Sequence, residues 1–378
     1  MDYKIVKYSE IGKIRSGKRL PKGYTVSEKI TDNKYIRVRD INSGSIDSSI
    51  VQYITDEAAE KLERYKVKTR DVIISVVGTV GAIAQIDESL NGAYLTENCD
   101  NLQVDESLCL KDYLKYYLLS EDGSKEIIAN TVGSTQPKLP IYGIENFNIK
   151  LPSIDNQKRI VKLLNSIDKK IKLNNEINNN LYEVSKQLLL KYLNENNNFE
   201  EVNISELLNV FTGKKNANET SPTGKYKFFS CAPENLLSDT YLYDGAAIIV
   251  AGNGAYTGRT RFYDGKFELY QRTYGLTLKD GFDKDNIYGL YVFMKTLFEP
   301  DKMGGTHGSA IPYIVLSDLT DYKLKYNKTE FDKFSNLVSS NIKMIQENEK
   351  YNEELSELRD TLLPKLMNGE IDLDNIEI

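Results

Sequence analysis

A chain of 378 residues with 40% apolar residues is long enough for two folded domains, and none of its apolar runs reaches the roughly 20 residues that span a bilayer. Three scattered cysteines, a single histidine and no signal peptide at the start predict a cytoplasmic protein without a disulfide framework or zinc site, and without catalysis that needs several imidazoles. The net charge of −6 arises in residues 331–378, which hold 5 basic and 11 acidic residues, whereas residues 11–70 hold 14 basic and 8 acidic residues, so a local basic face for phosphate contact remains.

Short strands, turns and short helices are predicted for residues 1–152. The strand candidates are IRVRDI (36–41), DVIISVV (71–77) and YLTENCDNLQV (94–104), and the helix candidates are DEAAEKLERY (56–65) and LKDYLKYYLLS (110–120). Residues 196–327 repeat this composition. Their strand candidates are AAIIVAG (246–252) and LYQRTYGLTL (269–278), and IYGLYVFMKTLF (287–298) is the helix candidate. Both parts indicate compact α+β domains rather than a doubly wound sheet.

A long helix follows each of these two parts. The first is predicted from Ser153 to about Leu193 within the segment 153–195, and the second starts near Thr329 within the segment 328–378 and stops at Pro364. Apolar residues at steps of mainly 3 and 4 form a coiled-coil stripe on both helices, which we predict to be an antiparallel seam and a subunit-docking surface. Its members are Ile160, Leu164, Ile167, Ile171, Ile177, Leu181, Val184, Leu188, Phe334, Val338, Ile345, Tyr351, Leu355, Leu358 and Leu362. Domain-packing helices are the alternative.

The chain is an internal repeat. Residues 171–194, placed on the segment 174 positions later, give nine identities in 24 ungapped positions, and Asn174 falls on Asn348 at one level of both stripes. Near the start of each half an offset of 196 carries Gly17 onto Gly213 and Lys18 onto Lys214. The edges of the two copies therefore agree while their middles diverge, as expected for two readers of different targets. Duplication of a purely structural unit is the alternative.

Several short motifs are candidates for chemistry or for ligand contact. The turn GNGAYTGRT (252–260) lacks both the spacing and the lysine of a phosphate loop, so a tight turn is the better interpretation. The matched turns SGKR (16–19) and TGKK (212–215) favour phosphate contact, although basic turns also occur by chance. The amide of Gln136 has the donor and acceptor needed to read adenine, or it stabilises its turn. His307 lacks partners for a nucleophilic mechanism and is better explained as a turn or DNA-contacting residue.

The stretch GSTQPKLPIYGIENFNIKLPSIDNQKRIVKLLNSIDKKIKLNNEINNNLYEV (133–184) resembles the central region of specificity subunits of type I restriction–modification systems, and LRDTLLPKLMNGEIDL (358–373) resembles the end of their second spacer helix. With both repeats, the resemblance covers the whole chain. The second copy departs from it, because GGTHGSAIPYIVL (304–316) replaces the Gly-Ser-Thr-Gln turn and no Gln opens its helix.

The resemblance implies two target-recognition domains that each read half of a bipartite double-stranded DNA target. It also implies methylase subunits that use S-adenosylmethionine and ATP-driven restriction subunits as partners. For this chain we expect no cofactor, no metal and no catalytic residue, since no motif for holding a flipped base and no nuclease arrangement is present. The predicted DNA-contacting residues are Lys18, Arg19, Lys22, Arg37, Arg39, Ser134, Thr135, Gln136, Lys138, Lys214, Lys215, Arg259, Arg261, Arg272, His307 and Ser309. A self-contained methyltransferase–nuclease and a coiled-coil scaffold without DNA binding are the alternatives.

Overall fold

The computed structural model describes residues 2–42, 44–48, 50–195, 198–232, 236–298 and 312–371. They form two compact units. Unit 1 comprises residues 1–171 and 354–378, and unit 2 comprises residues 172–353. Two long helices, α6 (Ile154–Glu195) and α10 (Lys328–Met367), each contribute one segment to each unit. No helix in the described part of the chain is long and apolar enough to cross a membrane.

Unit 1 contains eleven short strands and five short helices among its described residues, besides its segments of α6 and α10. Its strands are β1 (Lys4–Lys7), β2 (Gly12–Ser16), β3 (Lys34–Ile36), β4 (Ile41–Asn42), β5 (Ser45–Ile46), β6 (Gln52–Tyr53), β7 (Val72–Ser75), β8 (Ile83–Gln85), β9 (Tyr94–Leu95), β10 (Cys99–Val104) and β11 (Asn148–Leu151). Its short helices are α1 (Tyr8–Ile11), α2 (Asp56–Leu62), α3 (Lys111–Leu119), α4 (Glu121–Asn130) and α5 (Ile141–Glu145).

The main sheet of unit 1 has the antiparallel order β2-β10-β7-β8. Strand β7 consists of Val, Ile, Ile and Ser with every side chain buried, which is what β-branched residues in a central strand favour. Helix α3 packs on this sheet and buries Tyr113, Tyr116 and Tyr117 in the same core as the start of α6. Each of these tyrosines hydrogen-bonds through its hydroxyl, so its polar end is satisfied although its ring is buried.

The strands of unit 2 are β12 (Glu200–Asn203), β13 (Leu208–Thr212), β14 (Tyr226–Phe229), β15 (Leu236–Ser238), β16 (Tyr243–Ala251), β17 (Thr260–Leu269), β18 (Thr273–Leu278) and β19 (Lys323–Tyr326). Six of them form a larger sheet with the order β13-β18-β16-β17-β14-β15, in which β14 and β17 are the parallel pair. The short helices of unit 2 are α7 (Ile204–Leu207), α8 (Asn286–Leu297) and α9 (Leu316–Thr320).

The elements of the two units repeat at the offsets found in the sequence. Displacing β1, α1 and β2 by 196 positions gives the bounds of β12, α7 and β13, and displacing β10 by 174 positions gives the bounds of β18. The start of α6 falls on the start of α10 at the same offset of 174. The predicted fold class, two α+β domains in tandem with two long helices, is therefore confirmed.

One antiparallel strand pair closes each unit. In unit 1 the first strand, β1, pairs with β11, the strand that leads into α6. In unit 2 β12 pairs with β19, the strand that leads into α10. The first and last strands of each domain are thus joined by main-chain hydrogen bonds. Each domain therefore begins and ends beside the N-terminus of a long helix.

The junction between strand and helix is held differently in the two units. In unit 1 the side chain of Gln157 is fully buried on α6. Its Nε2 donates to the carbonyls of Leu108 (3.0 Å) and Pro152 (3.1 Å), and its Oε1 accepts from the Leu110 amide (2.9 Å). The position 174 residues later is Phe331, which is also fully buried. In unit 2 an aromatic cluster fills this place, with the Tyr192 ring 5.6 Å from Phe331. Apolar packing therefore replaces the polar junction.

The segments of α6 and α10 within each unit run antiparallel. In unit 2 the Asn174 amide donates to Asn352 (2.8 Å) and the Asn348 amide donates to Asn178 (2.8 Å). In unit 1 Arg359 forms an ion pair with Asp168 (3.2 Å). The two asparagines predicted at one level do not pair with each other. Asn174 pairs with Asn352 and Asn348 pairs with Asn178, because antiparallel pairing reverses the order of residues along one of the two helices.

The predicted apolar stripe is buried or half-buried at twelve of its fifteen positions. The exceptions are Val184, Tyr351 and Leu358, which are about half exposed. At these three positions the prediction of a buried seam is wrong, and the subunit-docking role stays a prediction. The step from Ile345 to Tyr351 is six residues, which turns an α-helix by about 240° beyond one full turn and carries Tyr351 away from the seam.

The prediction that Pro364 ends the second helix is wrong. Helix α10 continues to Met367, and Leu366 and Met367 are buried in the core of unit 1. This burial offsets the hydrogen bond that proline cannot donate. The helix ends at Met367, and the nearby Gly369 has a φ of +69°, which lies in the left-handed region that glycine tolerates.

Three predicted strands are interrupted by turns. The segment 36–41 is interrupted by a single 3₁₀ turn, Val38–Asp40, because the buried Asp40 carboxylate accepts from the Arg37 amide (2.8 Å). The segments 94–104 and 269–278 each contain a turn, so that each splits into two strands. A short side chain that accepts from a nearby amide offers the backbone an alternative to the sheet.

Replacing Gln157 by leucine should lower the free energy of unfolding by about 2 to 3 kcal/mol, because three main-chain groups would lose the fully buried amide that they bind. Lys158→Ala, on the exposed side of the same turn, is the matched control and should change stability by less than about 0.5 kcal/mol. Urea denaturation followed by circular dichroism measures both. Equal midpoints for the two variants would contradict the role assigned to Gln157.

Candidate nucleic-acid interface

Two matched basic turns lie at the ends of strands β2 and β13. Gly17 and Gly213 are buried, and a Cβ at either residue would lie 2.0 Å from a carbonyl oxygen of the neighbouring chain segment. Only glycine allows this close approach. The following lysines, Lys18 and Lys214, are exposed, and no described residue forms a hydrogen bond or ion pair with their ammonium groups. The fold therefore presents one lysine at the same place in each domain.

The second basic residue of each turn has an acidic partner. Arg19 pairs with Glu97 at 2.6 Å, although the arginine side chain is 80% exposed. Lys215 is half-buried, donates to Ser238 (2.8 Å) and Thr240 (2.7 Å), and lies 3.6 Å from Glu268. Lys215 therefore holds the turn in place, and the turn leaves Lys214 at the surface.

The predicted DNA contacts Arg37 and Arg39 lie in different surroundings. Arg37 is mostly buried and binds Asp40 (3.1 Å), Gln52 and the carbonyl of Ile50 (3.2 Å). Arg39 is 65% exposed, and its distance to the Asp40 carboxylate is 3.8 Å. The geometry gives Arg37 a structural role, while Arg39 remains accessible to a ligand.

The Gly-Ser-Thr-Gln turn projects from unit 1 between α4 and α5. Two main-chain hydrogen bonds of 2.8 Å between Val132 and Lys138 close it, and Gly133 has a φ of +89°. Its polar side chains are exposed: Ser134, Thr135, Gln136 and Lys138. No described residue hydrogen-bonds the Gln136 amide group, so the turn does not depend on that side chain. Its donor and acceptor face solvent, as does Lys22 elsewhere in the unit.

The remaining predicted contacts of unit 2 surround the turn 252–260. Arg261 donates to the carbonyl of Ser230 (2.5 Å), and its guanidinium lies 5.1 Å from the Phe229 ring. Arg259 lies 6.0 Å from the Tyr256 ring, and Arg272 is exposed. Arg261 is thus partly committed to the fold. His307 and Ser309 fall outside the described residues.

Beside this turn, unit 2 has an open cavity of about 1140 Å³ between strand β17 and α10, which the sequence did not indicate. Lys227 pairs with Glu353 at 2.6 Å on its wall. Desolvation by the surrounding protein raises the pKa of Glu349, and the nearby Lys295 opposes this effect. These residues come from a strand and two helices that are distant from one another in the sequence. No local sequence pattern therefore predicts that they line one cavity. Their mixed charges define no single ligand.

The described residues hold no group of three or more His, Cys, Asp or Glu arranged to bind a metal ion. Cys99 and Cys109 are buried, and this burial raises the pKa of Cys109 to about 12. Neither thiol is therefore ionised near neutral pH, as a cysteine nucleophile must be.

Comparison with known proteins identifies specificity subunits of type I restriction enzymes as relatives. The family model described as "Type I restriction modification DNA specificity domain" matches residues 1–183 and again residues 196–350. The Escherichia coli type I restriction enzyme EcoDI specificity subunit is 34% identical over 126 residues, which are 32% of this chain and 26% of that protein. The MjaVIII specificity subunit of Methanocaldococcus jannaschii is 24% identical over 197 residues, 50% of this chain and 44% of that protein. These alignments therefore span less than half of the curated relatives.

A solved structure, the type I restriction–modification S subunit from M. genitalium, shares the fold. It aligns with a TM-score of 0.59 at 16% identity and covers 97% of this chain and 96% of its own. At this identity the likeness concerns the fold alone. It extends over both repeats and both long helices.

The different surroundings of Arg37 and Arg39 predict different effects of removing them. Arg37→Ala should lower the free energy of unfolding by about 1 to 3 kcal/mol, since the fully buried Asp40 carboxylate would lose its cation. Arg39→Ala should change it by less than about 0.5 kcal/mol. Denaturant titration of both variants is the measurement. An Arg39 variant that is as unstable as the Arg37 variant would show that both arginines support the fold.

Proposed function

Because the chain belongs to the type I restriction–modification DNA specificity family, we propose that it is the DNA-reading, non-catalytic subunit of such an enzyme. The family match to both repeats is the observation that carries this proposal. Each repeat forms one target-recognition domain, residues 1–152 and 196–327, and each domain reads one half of a bipartite target. The helical segments 153–195 and 328–378 link the domains and dock the other subunits.

Binding to DNA is proposed to use phosphates for position and base edges for sequence. Lys18 and Lys214 suit the first task, because each is exposed at the same place on its domain and has an ammonium group available for phosphate. Gln136 suits the second, since its exposed amide matches the donor and acceptor pattern of adenine in the major groove. Lys22, Arg39 and Lys138 in unit 1 and Arg272 in unit 2 are further exposed cations for contact with phosphates.

Methylase and restriction subunits are the proposed protein partners, since the relatives are named as parts of type I restriction enzymes. The long helices are the proposed docking surface for methylases. Val184, Tyr351 and Leu358 support this assignment, because these apolar side chains remain about half exposed on helices whose other stripe residues are buried or half-buried. Catalysis is assigned to the partners, so the isolated chain should transfer no methyl group from S-adenosylmethionine and cleave no DNA.

Lys214→Ala should weaken DNA binding roughly 3- to 10-fold and reduce the slope of log K against log salt by about 1, since one phosphate contact is lost. Lys215→Ala is the neighbouring comparison. It should mainly destabilise unit 2, because Ser238, Thr240 and Glu268 lose a shared donor. Fluorescence anisotropy at several salt concentrations, with the methylase present, separates the two effects. An unchanged slope of log K against log salt for the Lys214 variant would show that Lys214 does not contact a phosphate.

Exchange of one recognition domain tests modular reading. Strands β1 and β11 pair with each other, so the exchanged piece must contain both, and residues 1–152 meet that condition. Replacing them with the corresponding domain of a related subunit should change one half of the methylated motif and preserve the other half. Genome-wide mapping of methylated bases reads out both halves. Changes in both halves would show that the two domains do not read independently.

A further inference from the structure

Three charged side chains meet where α3 of unit 1 packs on α6 and α10. Lys115 is 6% exposed on α3, and its ammonium lies 3.2 Å from Asp168 Oδ2 on α6. Arg359 on α10 lies 3.2 Å from Asp168 Oδ1, and the Tyr116 hydroxyl donates to Oδ2 at 2.6 Å. Asp168 thus joins a helix of the recognition domain to the two long helices. We call Lys115, Asp168 and Arg359 the charged triad.

The charged triad has no counterpart in unit 2. At the offset of 174 positions, Lys115 corresponds to Gly289, Asp168 to Ile342 and Arg359 to Ser185. Ile342 is fully buried, and a Cβ at Gly289 would lie 2.3 Å from Ser335 Oγ, so a lysine has no room there. Ser185 is buried as well and accepts from Asn341 at 3.2 Å. One unit therefore uses charges where the other uses small or apolar side chains.

This difference distinguishes correct from incorrect pairing of the two long helices. Because α6 and α10 repeat each other, α6 of one molecule has a surface similar to that of α10 and would otherwise suit α6 of a second molecule. In such a like-with-like pair, Ser185 would take the place of Arg359 opposite Asp168. In the corresponding pair of two α10 helices, Arg359 would meet Ile342. Each mispairing removes a charge partner from a largely buried group, which is strongly unfavourable.

The asparagine pairs do not provide this discrimination. Asn174 and Asn348 are equivalent in the repeat, as are Asn178 and Asn352. Two copies of α6 would therefore make the same amide hydrogen bonds that α6 and α10 make, and so would two copies of α10. The amide pairs fix the register of an antiparallel helix pair, but they form equally well with α6 or α10 as the partner helix.

We propose that the charged triad makes α6 select α10 of its own chain and reject a second copy of the protein. The triad acts by positioning. Lys115 fixes the first recognition domain on α6 through Asp168, and only pairing of α6 with α10 supplies Arg359 as the second partner of Asp168. This inference does not rest on DNA binding, so it stands or falls separately from the proposed function.

The test uses two full-length versions of the chain that carry different affinity tags, unfolded together in denaturant and refolded as a mixture. Capture on one tag and detection of the other measures the fraction of molecules paired between copies. The triple variant Lys115→Gly, Asp168→Ile and Arg359→Ser installs the residues of unit 2 in unit 1. Like-with-like pairs of either long helix would then resemble the apolar and serine–asparagine contacts that unit 2 already makes.

The expected result is a rise in mixed-tag complexes of at least about tenfold over the wild-type chain, since loss of the charge pairs removes the penalty for mispairing. Asp168→Asn with Arg359→Gln nearly preserves side-chain shape and should give a rise in the same direction. It decides the question if the triple variant does not refold. The conservative pair Asp168→Glu and Arg359→Lys should keep the wild-type value.

The control removes an exposed ion pair from α6. Asp155 and Lys158 lie 3.3 Å apart with both side chains largely exposed, so replacing both by alanine should leave the mixed fraction unchanged. A triple variant, or an Asn/Gln variant, that refolds with no more mixed-tag complex than the wild-type chain would overturn the proposal. Equal rises in the control and in the triad variants would do the same.

Discussion

Each recognition domain is closed by main-chain hydrogen bonds between its first strand and the strand that leads into its long helix. The pairs β1–β11 and β12–β19 bring the two ends of a domain together at the root of α6 or α10. Loops between those strands that do not contact the helix can vary without moving it, because the helix takes its starting position from the strand pair. The shared frame and the divergent middle of the two copies both follow from this constraint.

The two domains are held on their long helices by different kinds of interaction. Unit 1 uses directional polar contacts, namely the buried amide of Gln157 and the ion pairs of Asp168. Unit 2 places Phe331 and Ile342 at the equivalent positions and relies on apolar packing. Apolar packing tolerates a range of geometries, whereas hydrogen bonds and ion pairs require particular partners. The two halves of a duplicated protein have thus diverged in how their junctions are held as well as in their loops.

The sequence predicted the features that depend on local pattern. Repetition at fixed offsets gave two domains and two long helices, and periodicity gave most of the buried stripe. It failed where distant residues decide the outcome. Pro364 lies within a helix because the residues after it are buried by unit 1, and Arg37 turns inward because Asp40 is buried beside it. The cavity of unit 2 was also unforeseen, since its charged residues meet only through the fold.

Gly17 and Gly213 limit how such a protein can diversify. A side chain at either position would collide with a carbonyl oxygen of the main chain, which cannot move aside as a flexible side chain does. The main chain of the lysine that follows, Lys18 or Lys214, is consequently kept close to the end of its strand. Under the proposed phosphate contact of these lysines, substitutions in the surrounding loops change the DNA target while the phosphate contact is retained. Affinity and sequence preference would then evolve at different rates within one domain.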